Sequence, residues 1–369
     1  MSDTKLRWGI LSTASIANKN WEAILNSGNG TVTAVASRDL KRSQAFIDAC
    51  QTEAPFPVKP QALGRYQDLI ASDQVDAVYI PLPTGLRKEW VLRAAEAGKH
   101  VICEKPCGDT VADVKAMVAA CREHKVQFMD GVMFMHSQRM GRIRDVLDDG
   151  EHVGRIKRLT GLFSFCAPEA FLTQNIRMHS GLESHGCLGD LGWYCIRFFL
   201  WALHYQMPTA VTGRFLTLLG RKGSPTQVPA EFSAELFFEN GVTASFYASF
   251  LTEHQQLISI SGDKGQLIVD DFVLPFLGNE VAFHTINAAY TMRGCEFTME
   301  RYAQRFAVRE YSNNHPSAQE TNLFRNFADQ IGSGLLNEEW PEIALKTQRV
   351  LNACRASAEQ DGARVSLDA

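Results

Sequence analysis

Residues 77–106 read AVYIPLPTGLRKEWVLRAAEAGKHVICEKP, and this stretch decides how the first part of the chain folds. Two short apolar runs, Ala77 to Ile80 and His100 to Cys103, have the character of buried strands. Between them Glu89 to Ala97 carries a helical pattern, and Gly98 supplies the left-handed residue that closes a helix. A strand, a helix and a second strand in that order make the two strands parallel. The alternation extends outward on both sides, with strands expected at Arg7 to Leu11, Thr31 to Ser37 and Gln127 to Asp130 and a helix at Leu40 to Cys50. Residues 1–127 therefore predict an α/β domain, a parallel sheet with helices on both faces.

Past Gly154 the runs lengthen and alternate: Arg155 to Phe165, Ala210 to Thr217, Glu231 to Phe238, Val242 to Phe250, Gln256 to Ser261 and Gly265 to Val269. Asn240-Gly241 between two of them is a strong hairpin signal. Residues 128–369 predict an α+β domain on a large, mostly antiparallel open sheet. One helix, Leu188 to Leu203, interrupts the strands; Ala318 to Ile331 and Pro341 to Ala358 follow, with Pro341 at a first helical position. Two domains also suit 369 residues, more than one core usually organises.

Composition narrows the function. With 37 basic and 41 acidic residues the net charge is -4, too weak to imply a nucleic-acid footprint or an anionic-membrane surface, and a small neutral or anionic ligand fits better. Nine cysteines, odd in number and scattered, read as reduced packing residues. Cys103 and Cys107 have no second pair at zinc-ligand spacing, so no metal is expected. The N-terminal residues lack an export signal, and the richest apolar segment, Trp193 to Leu203, is too short to span a bilayer, so a cytoplasmic location is expected.

The first strand runs into Gly9-Ile10-Leu11-Ser12-Thr13-Ala14-Ser15-Ile16-Ala17, where a dinucleotide-binding fold places its phosphate turn and helix N-terminus. Gly9, Ser12, Thr13, Ala14, Ser15 and Ile16 are the candidate cofactor contacts there, with serine at 12 where glycine is usual. At the end of the second strand, Ser37 and Arg38, with Arg42 one helical turn on, replace the acidic residue of NAD sites. A guanidinium suits a 2'-phosphate, so NADP is favoured, with NAD possible. The competing reading is a surface arginine ahead of a helix capped by Asp39.

The segment Ile80-Pro81-Leu82-Pro83-Thr84, then Ala94 to Val101, then Cys103-Glu104-Lys105-Pro106 strongly resembles the glucose-fructose oxidoreductase, inositol dehydrogenase and rhizopine-catabolism (Gfo/Idh/MocA) family. With Pro341-Glu342 and Ala344-Leu345, the resemblance covers nearly the whole chain. It implies a Rossmann-type first domain, a lysine, Lys105, that reaches the reacting hydroxyl, a cis peptide before Pro106, and cofactor contacts from Pro83, Thr84, Glu104 and Lys105. Ser12, Thr84 and Arg87 stand where the family commonly has glycine, asparagine and histidine.

Gly186-Cys187-Leu188-Gly189-Asp190-Leu191-Gly192-Trp193-Tyr194 resembles the family's second catalytic segment, an aspartate followed four residues later by histidine or tyrosine. The tyrosine makes the site similar to the dimeric dihydrodiol dehydrogenase type. Spacing of four puts Asp190 and Tyr194 on one helix face, although Tyr194 beside Trp193, Phe198 and Phe199 also fits a core position. Lys105, Asp190 and Tyr194 are the candidate catalytic residues, and with Arg177 the candidate substrate contacts; either Tyr194 or Lys105 is the acid-base group. The expected activity is hydride transfer between a nicotinamide and a hydroxyl or carbonyl of a sugar, polyol or cyclic diol. Alternatives are reduction of a C=C or C=N bond, glycoside hydrolysis through transient oxidation, and a catalytically silent NADP-binding regulator. The open sheet of the second domain implies a dimer or tetramer.

Overall fold

A computed structural model describes residues 5–367, and contacts divide the chain into two units. The first contains β1 (Leu6–Leu11), α1 (Ser15–Ser27), β2 (Gly30–Ala36), α2 (Leu40–Glu53), β3 (Gln61–Leu63) and α3 (Tyr66–Ile70). It continues with β4 (Ala77–Ile80), α4 (Thr84–Glu96), β5 (His100–Cys103), α5 (Val111–Glu123) and β6 (Phe128–Asp130). All six strands are parallel in the order β3-β2-β1-β4-β5-β6, the doubly wound arrangement whose direction of winding reverses between β1 and β4. β4 and β5 have the limits read from sequence. Helix α4 begins at Thr84 and not at Glu89: the N–H of Thr84 bonds the Glu183 carboxylate and that of Gly85 the Leu182 carbonyl, so tertiary contacts hold the first turn.

The second unit contains α6 (Gln138–Asp148), β7 (Ile156–Ser164), α7 (Glu169–Gln174), a π-helical turn at Leu188–Gly192 and α8 (Trp193–Ala202). Its later strands are β8 (Ala210–Leu219), β9 (Val228–Phe237), β10 (Thr243–Ser249), β11 (Gln255–Gly262), β12 (Gln266–Val269), β13 (Val281–Arg293) and β14 (Glu296–Val308). Helices α9 (Gln319–Gly332) and α10 (Glu339–Ala358) and strand β15 (Val365–Ser366) complete the chain. The nine-stranded sheet, β14-β13-β12-β11-β7-β10-β9-β8-β15, is antiparallel except where β7 meets β10. Asn240 and Gly241, with φ of 61° and 76°, make the expected hairpin between β9 and β10 as a three-residue loop. The segment read as one helix from Leu188 is a π turn followed by α8, and Pro341 is the third residue of α10, still in the turn that needs no intrahelical donor.

The division by contacts is not a single cut after residue 127. Residues 311–349, including α9 and the first part of α10, belong with the first unit, as do residues 179–184. The reason is the core under β1: Trp8 packs edge-on against Phe324, with ring centres 5.3 Å apart, and at a tilt against Phe327, 5.4 Å apart. Arg325 of α9 also donates to the carbonyls of Ser27, at 3.0 Å, and Asn26, at 3.1 Å.

Candidate functional site

At the carboxyl end of β1 the backbone turns through Ser12 with φ of 138°, a conformation that glycine adopts easily and other residues rarely. Helix α1 follows with Ala14 at its N-cap, no side-chain cap and no acidic residue in its first turn. Helices α2 and α5, by contrast, are capped by Asp39 and Thr110. The first N–H groups of α1 can therefore receive an anion, with the helix dipole adding to the attraction. Thr13, Ala14, Ser15 and Ile16 form this turn, partly or fully exposed. Gly9 lies instead inside β1, paired with Ala34, where any side chain would press on Leu69 and Val75; it serves the packing of the sheet.

Beyond β2, Ser37 is buried and its hydroxyl closes the turn, donating to the Asp39 carbonyl at 2.7 Å and accepting from the Asp39 N–H at 3.2 Å. Asp39 caps α2 as the alternative reading had it, accepting from Lys41 at 2.9 Å. Arg38 and Arg42 are exposed at this edge. Tyr66, which the sequence did not single out, joins them to the phosphate turn. Burial pushes its phenol up, against the opposing pull of Arg38, a hydrogen bond with Ser12, and Arg42. Its ring meets Trp90 edge-on at 5.0 Å. An exposed helix N-terminus and two guanidinium groups along one sheet edge fit a phosphorylated dinucleotide.

Across the switch point, Tyr79 donates to Glu104 at 2.7 Å and accepts from Asn20 of α1 at 2.6 Å, while the Lys105 N–H donates to the second Glu104 oxygen at 3.2 Å. Burial and the Glu104 charge push the Tyr79 phenol well up, so it remains a donor at neutral pH. This network ties the backbone of Lys105 to α1, and the peptide before Pro106 is cis, as the resemblance implied. Thr84 and Arg87 belong to a second buried network. The Thr84 hydroxyl donates to Glu183 at 2.6 Å; Arg87 donates to the Leu82 carbonyl at 2.7 Å, to the Thr84 oxygen at 3.0 Å and to the Pro106 carbonyl. Arg87 lies 3.8 Å from the Glu183 carboxylate, so both departures from the family pattern are explained by one partner far along the chain.

In the second unit, Gly186 has φ of 48° and sits against the Pro229 carbonyl, and the π turn that follows carries Asp190. π turns recur at functional sites because they shift side chains off the regular helical face. Arg177 pairs with Asp190 at 2.7 Å, so the structure brings these two site candidates together. Tyr194, in the first turn of α8, is buried with its ring 5.7 Å from Phe163. The buried Cys187, Cys195 and Cys354 thiols are pushed up by desolvation, which suits packing over nucleophilic chemistry. Among the described residues no group of three or more acidic, histidine or cysteine side chains could hold a metal, and no helix is long and apolar enough to cross a membrane.

Residues 6–132 match the model of an oxidoreductase family with an NAD-binding Rossmann fold, and residues 140–268 match that of the GFO/IDH/MocA C-terminal domain. A dTDP-3,4-didehydro-2,6-dideoxy-alpha-D-glucose 3-reductase of Saccharopolyspora spinosa is 31% identical over 73% of this chain and 76% of its own length. A trans-1,2-dihydrobenzene-1,2-diol dehydrogenase of Mus musculus is 31% identical over the same shares, 73% and 76%. Among solved structures, a 3-ketoreductase from Actinomadura kijaniata in complex with NADP and TDP-benzene superposes with a TM-score of 0.77 at 25% identity, covering 96% of this chain and 98% of that one.

Proposed function

The chain belongs to the Gfo/Idh/MocA family of oxidoreductases, and from that premise we propose that it transfers hydride between NADP and a hydroxyl or carbonyl carbon of a sugar, a sugar nucleotide or a cyclic diol. The observation that carries the cofactor reading is the sheet edge where the uncapped N-terminus of α1 is followed by Arg38 and Arg42. Bound NADP supplies or accepts the hydride; everything else falls to side chains of the protein. The α1 N–H groups and Ser12 receive the pyrophosphate, and Arg38 with Arg42 receives the 2'-phosphate. We assign to Lys105 a hydrogen bond to the reacting oxygen and to Tyr194 the exchange of its proton. Glu104 holds the Lys105 N–H, and Arg177 fixes the Asp190 carboxylate for binding or orienting the substrate.

The substrate class follows the relatives, which act on a deoxy keto sugar nucleotide and on a dihydrodiol. The test is a spectrophotometric screen of NADPH and NADH oxidation with keto sugars and their nucleotides, and of NADP reduction with aldoses, inositols and cyclic diols. Turnover with NADP at one of these carbons supports the reading. Cofactor binding without turnover on any of them would return it to the silent regulator.

A further inference from the structure

Helix α4 has no side chain of its own to close its first turn: Pro83 stands at its N-cap and no acidic residue lies in that turn. The acceptors come from residues 179–184, which group with the first unit although the chain on both sides of them groups with the second. The Glu183 carboxylate accepts from the Thr84 N–H at 3.1 Å and from the Thr84 hydroxyl at 2.6 Å, and the Leu182 carbonyl accepts from the Gly85 N–H at 3.2 Å. Ser184 donates to Asp109 at 2.7 Å, and a side chain at Gly85 would come within 3.0 Å of the Gly181 carbonyl oxygen. The N–H groups of Leu182 and Glu183 both bond to the His179 carbonyl, at 3.0 and 2.9 Å, so the segment is a compact turn fitted to the end of α4.

Folding stability alone gives little reason for the charges this turn buries. Glu183 is 9%, Arg87 5% and Thr84 2% exposed, and a buried carboxylate with its guanidinium usually stabilises a fold no more than apolar residues of the same size. The donors of Arg87 show where the pair acts. Its Nε donates to the Leu82 carbonyl at 2.7 Å, and its Nη1 to the Thr84 oxygen at 3.0 Å and to the Pro106 carbonyl, so one side chain joins the turn after β4 to the turn after β5. The Thr84 oxygen also lies 3.5 Å from the Pro106 carbonyl, but its one proton goes to Glu183 at the shorter distance. Arg87 is therefore the donor that serves the Pro106 carbonyl, and its guanidinium faces the Glu183 carboxylate 3.8 Å away.

Pro106 directly follows Lys105. On the other side, the Lys105 N–H is fixed by the Glu104 carboxylate at 3.2 Å, which Tyr79 ties to Asn20. We propose that Glu183 is a positioning residue for Lys105: it orients Arg87, Arg87 holds the Pro106 carbonyl, and the main chain that carries the lysine is clamped from both sides. The proposal deepens the hydride-transfer reading and rests on Lys105 as the residue that bonds the reacting oxygen. It gives the departures at Thr84 and Arg87 a joint purpose, since each completes a contact with Glu183. A reacting group displaced by about 1 Å loses about a hundredfold in rate, so a clamp on the lysine's main chain bears on turnover more than on cofactor binding.

The test compares the wild type with Glu183→Gln, with Arg87→Met and with the double variant that carries both, which leaves no buried charge without its partner. Hydrogen exchange of the Glu104 and Lys105 amides, followed by mass spectrometry on the full chain, reads the clamp without turnover. Turnover and Michaelis constants with NADP are measured on the substrate that the screen returns, and thermal unfolding reports stability. Each single variant should exchange these amides at least about tenfold faster with the protection of β1 unchanged. Each should also lose about tenfold to a hundredfold in kcat while the NADP Michaelis constant stays within about threefold. The double variant should regain the thermal midpoint but neither the slow exchange nor kcat, because the Pro106 carbonyl still lacks its donor. If the single variants do not fold, the double variant carries the test. Wild-type exchange at Lys105 in Glu183→Gln, or a double variant that recovers slow exchange or kcat together with stability, would overturn the proposal. A wild type without turnover on any carbonyl or polyol would instead remove the hydride-transfer reading, and the exchange rates alone would then decide whether Glu183 positions Lys105.

Discussion

An exposed guanidinium just past a buried strand contributes little to folding, so removing it reads binding almost alone. Arg38→Ala is expected to weaken NADP by about tenfold to a hundredfold, the loss of one charge-assisted contact, while NAD affinity hardly changes. A fluorescence titration with both cofactors measures this, and equal losses would remove Arg38 from the 2'-phosphate. Tyr194→Phe should lower turnover by about two to four powers of ten with cofactor affinity kept. If it raises only the Michaelis constant, Lys105 inherits the proton transfer, and Lys105→Met then becomes the more damaging change. Ser12 offers a test of backbone strain: Ser12→Ala removes the hydroxyl and keeps a Cβ at the φ of 138°, whereas Ser12→Gly removes the hydroxyl and relieves the strain at the same φ. Glycine should be the more stable of the two by about 1 kcal/mol in denaturant unfolding. At this scale the turn after the first strand was legible from adjacent residues and the cis peptide from the family resemblance, whereas the roles of Arg38 and Lys105 are proposals. Tyr66 and Glu183 were not legible, because each meets its partners from a segment that no local spacing connects to them.

Elements were legible where burial imposes a pattern. Five of the six parallel strands and most of the sheet strands lie within a few residues of their expected limits, since one or both faces must be apolar; the three-residue edge strand β3 was not expected. Strands β13 and β14 escaped notice because most of their paired length, residues 288–302, is exposed on both faces, so its alternation marks no core. The π turn escaped for the opposite reason. A helical face argument from spacing alone assumes regular turns, yet Gly186 and Gly192 let this segment press against Pro229 and Phe246 and widen. Gly186→Ala adds a side chain at φ of 48°, directly against the Pro229 carbonyl oxygen. It is expected to cost about 2–3 kcal/mol and to move the turn that holds Asp190. Turnover should fall while NADP affinity stays within a few-fold. Wild-type stability and wild-type turnover in this variant would mean that the turn is not held by that approach.

For the whole molecule, the two compositional halves of the sequence suggested one boundary, whereas the contacts return α9 to the first unit. Sequence texture reports the kind of element, helix or strand, and α9 has the same amphipathic pattern whichever core it covers. Its destination is written in shape: Trp8 of β1 is buried against the rings of Phe324 and Phe327 in one core cluster. A fragment ending at residue 136 would therefore expose Trp8 and the α1 carbonyls that Arg325 now occupies. Such a fragment should be poorly folded, and joining residues 311–349 to it through a flexible linker should restore a cooperative thermal transition. Phe324→Ala in the full chain should cost about 3–5 kcal/mol, the usual range for a buried aromatic truncated to alanine. A fragment of residues 1–136 that unfolds cooperatively, as stably as the linked form, would show that the first unit does not depend on α9.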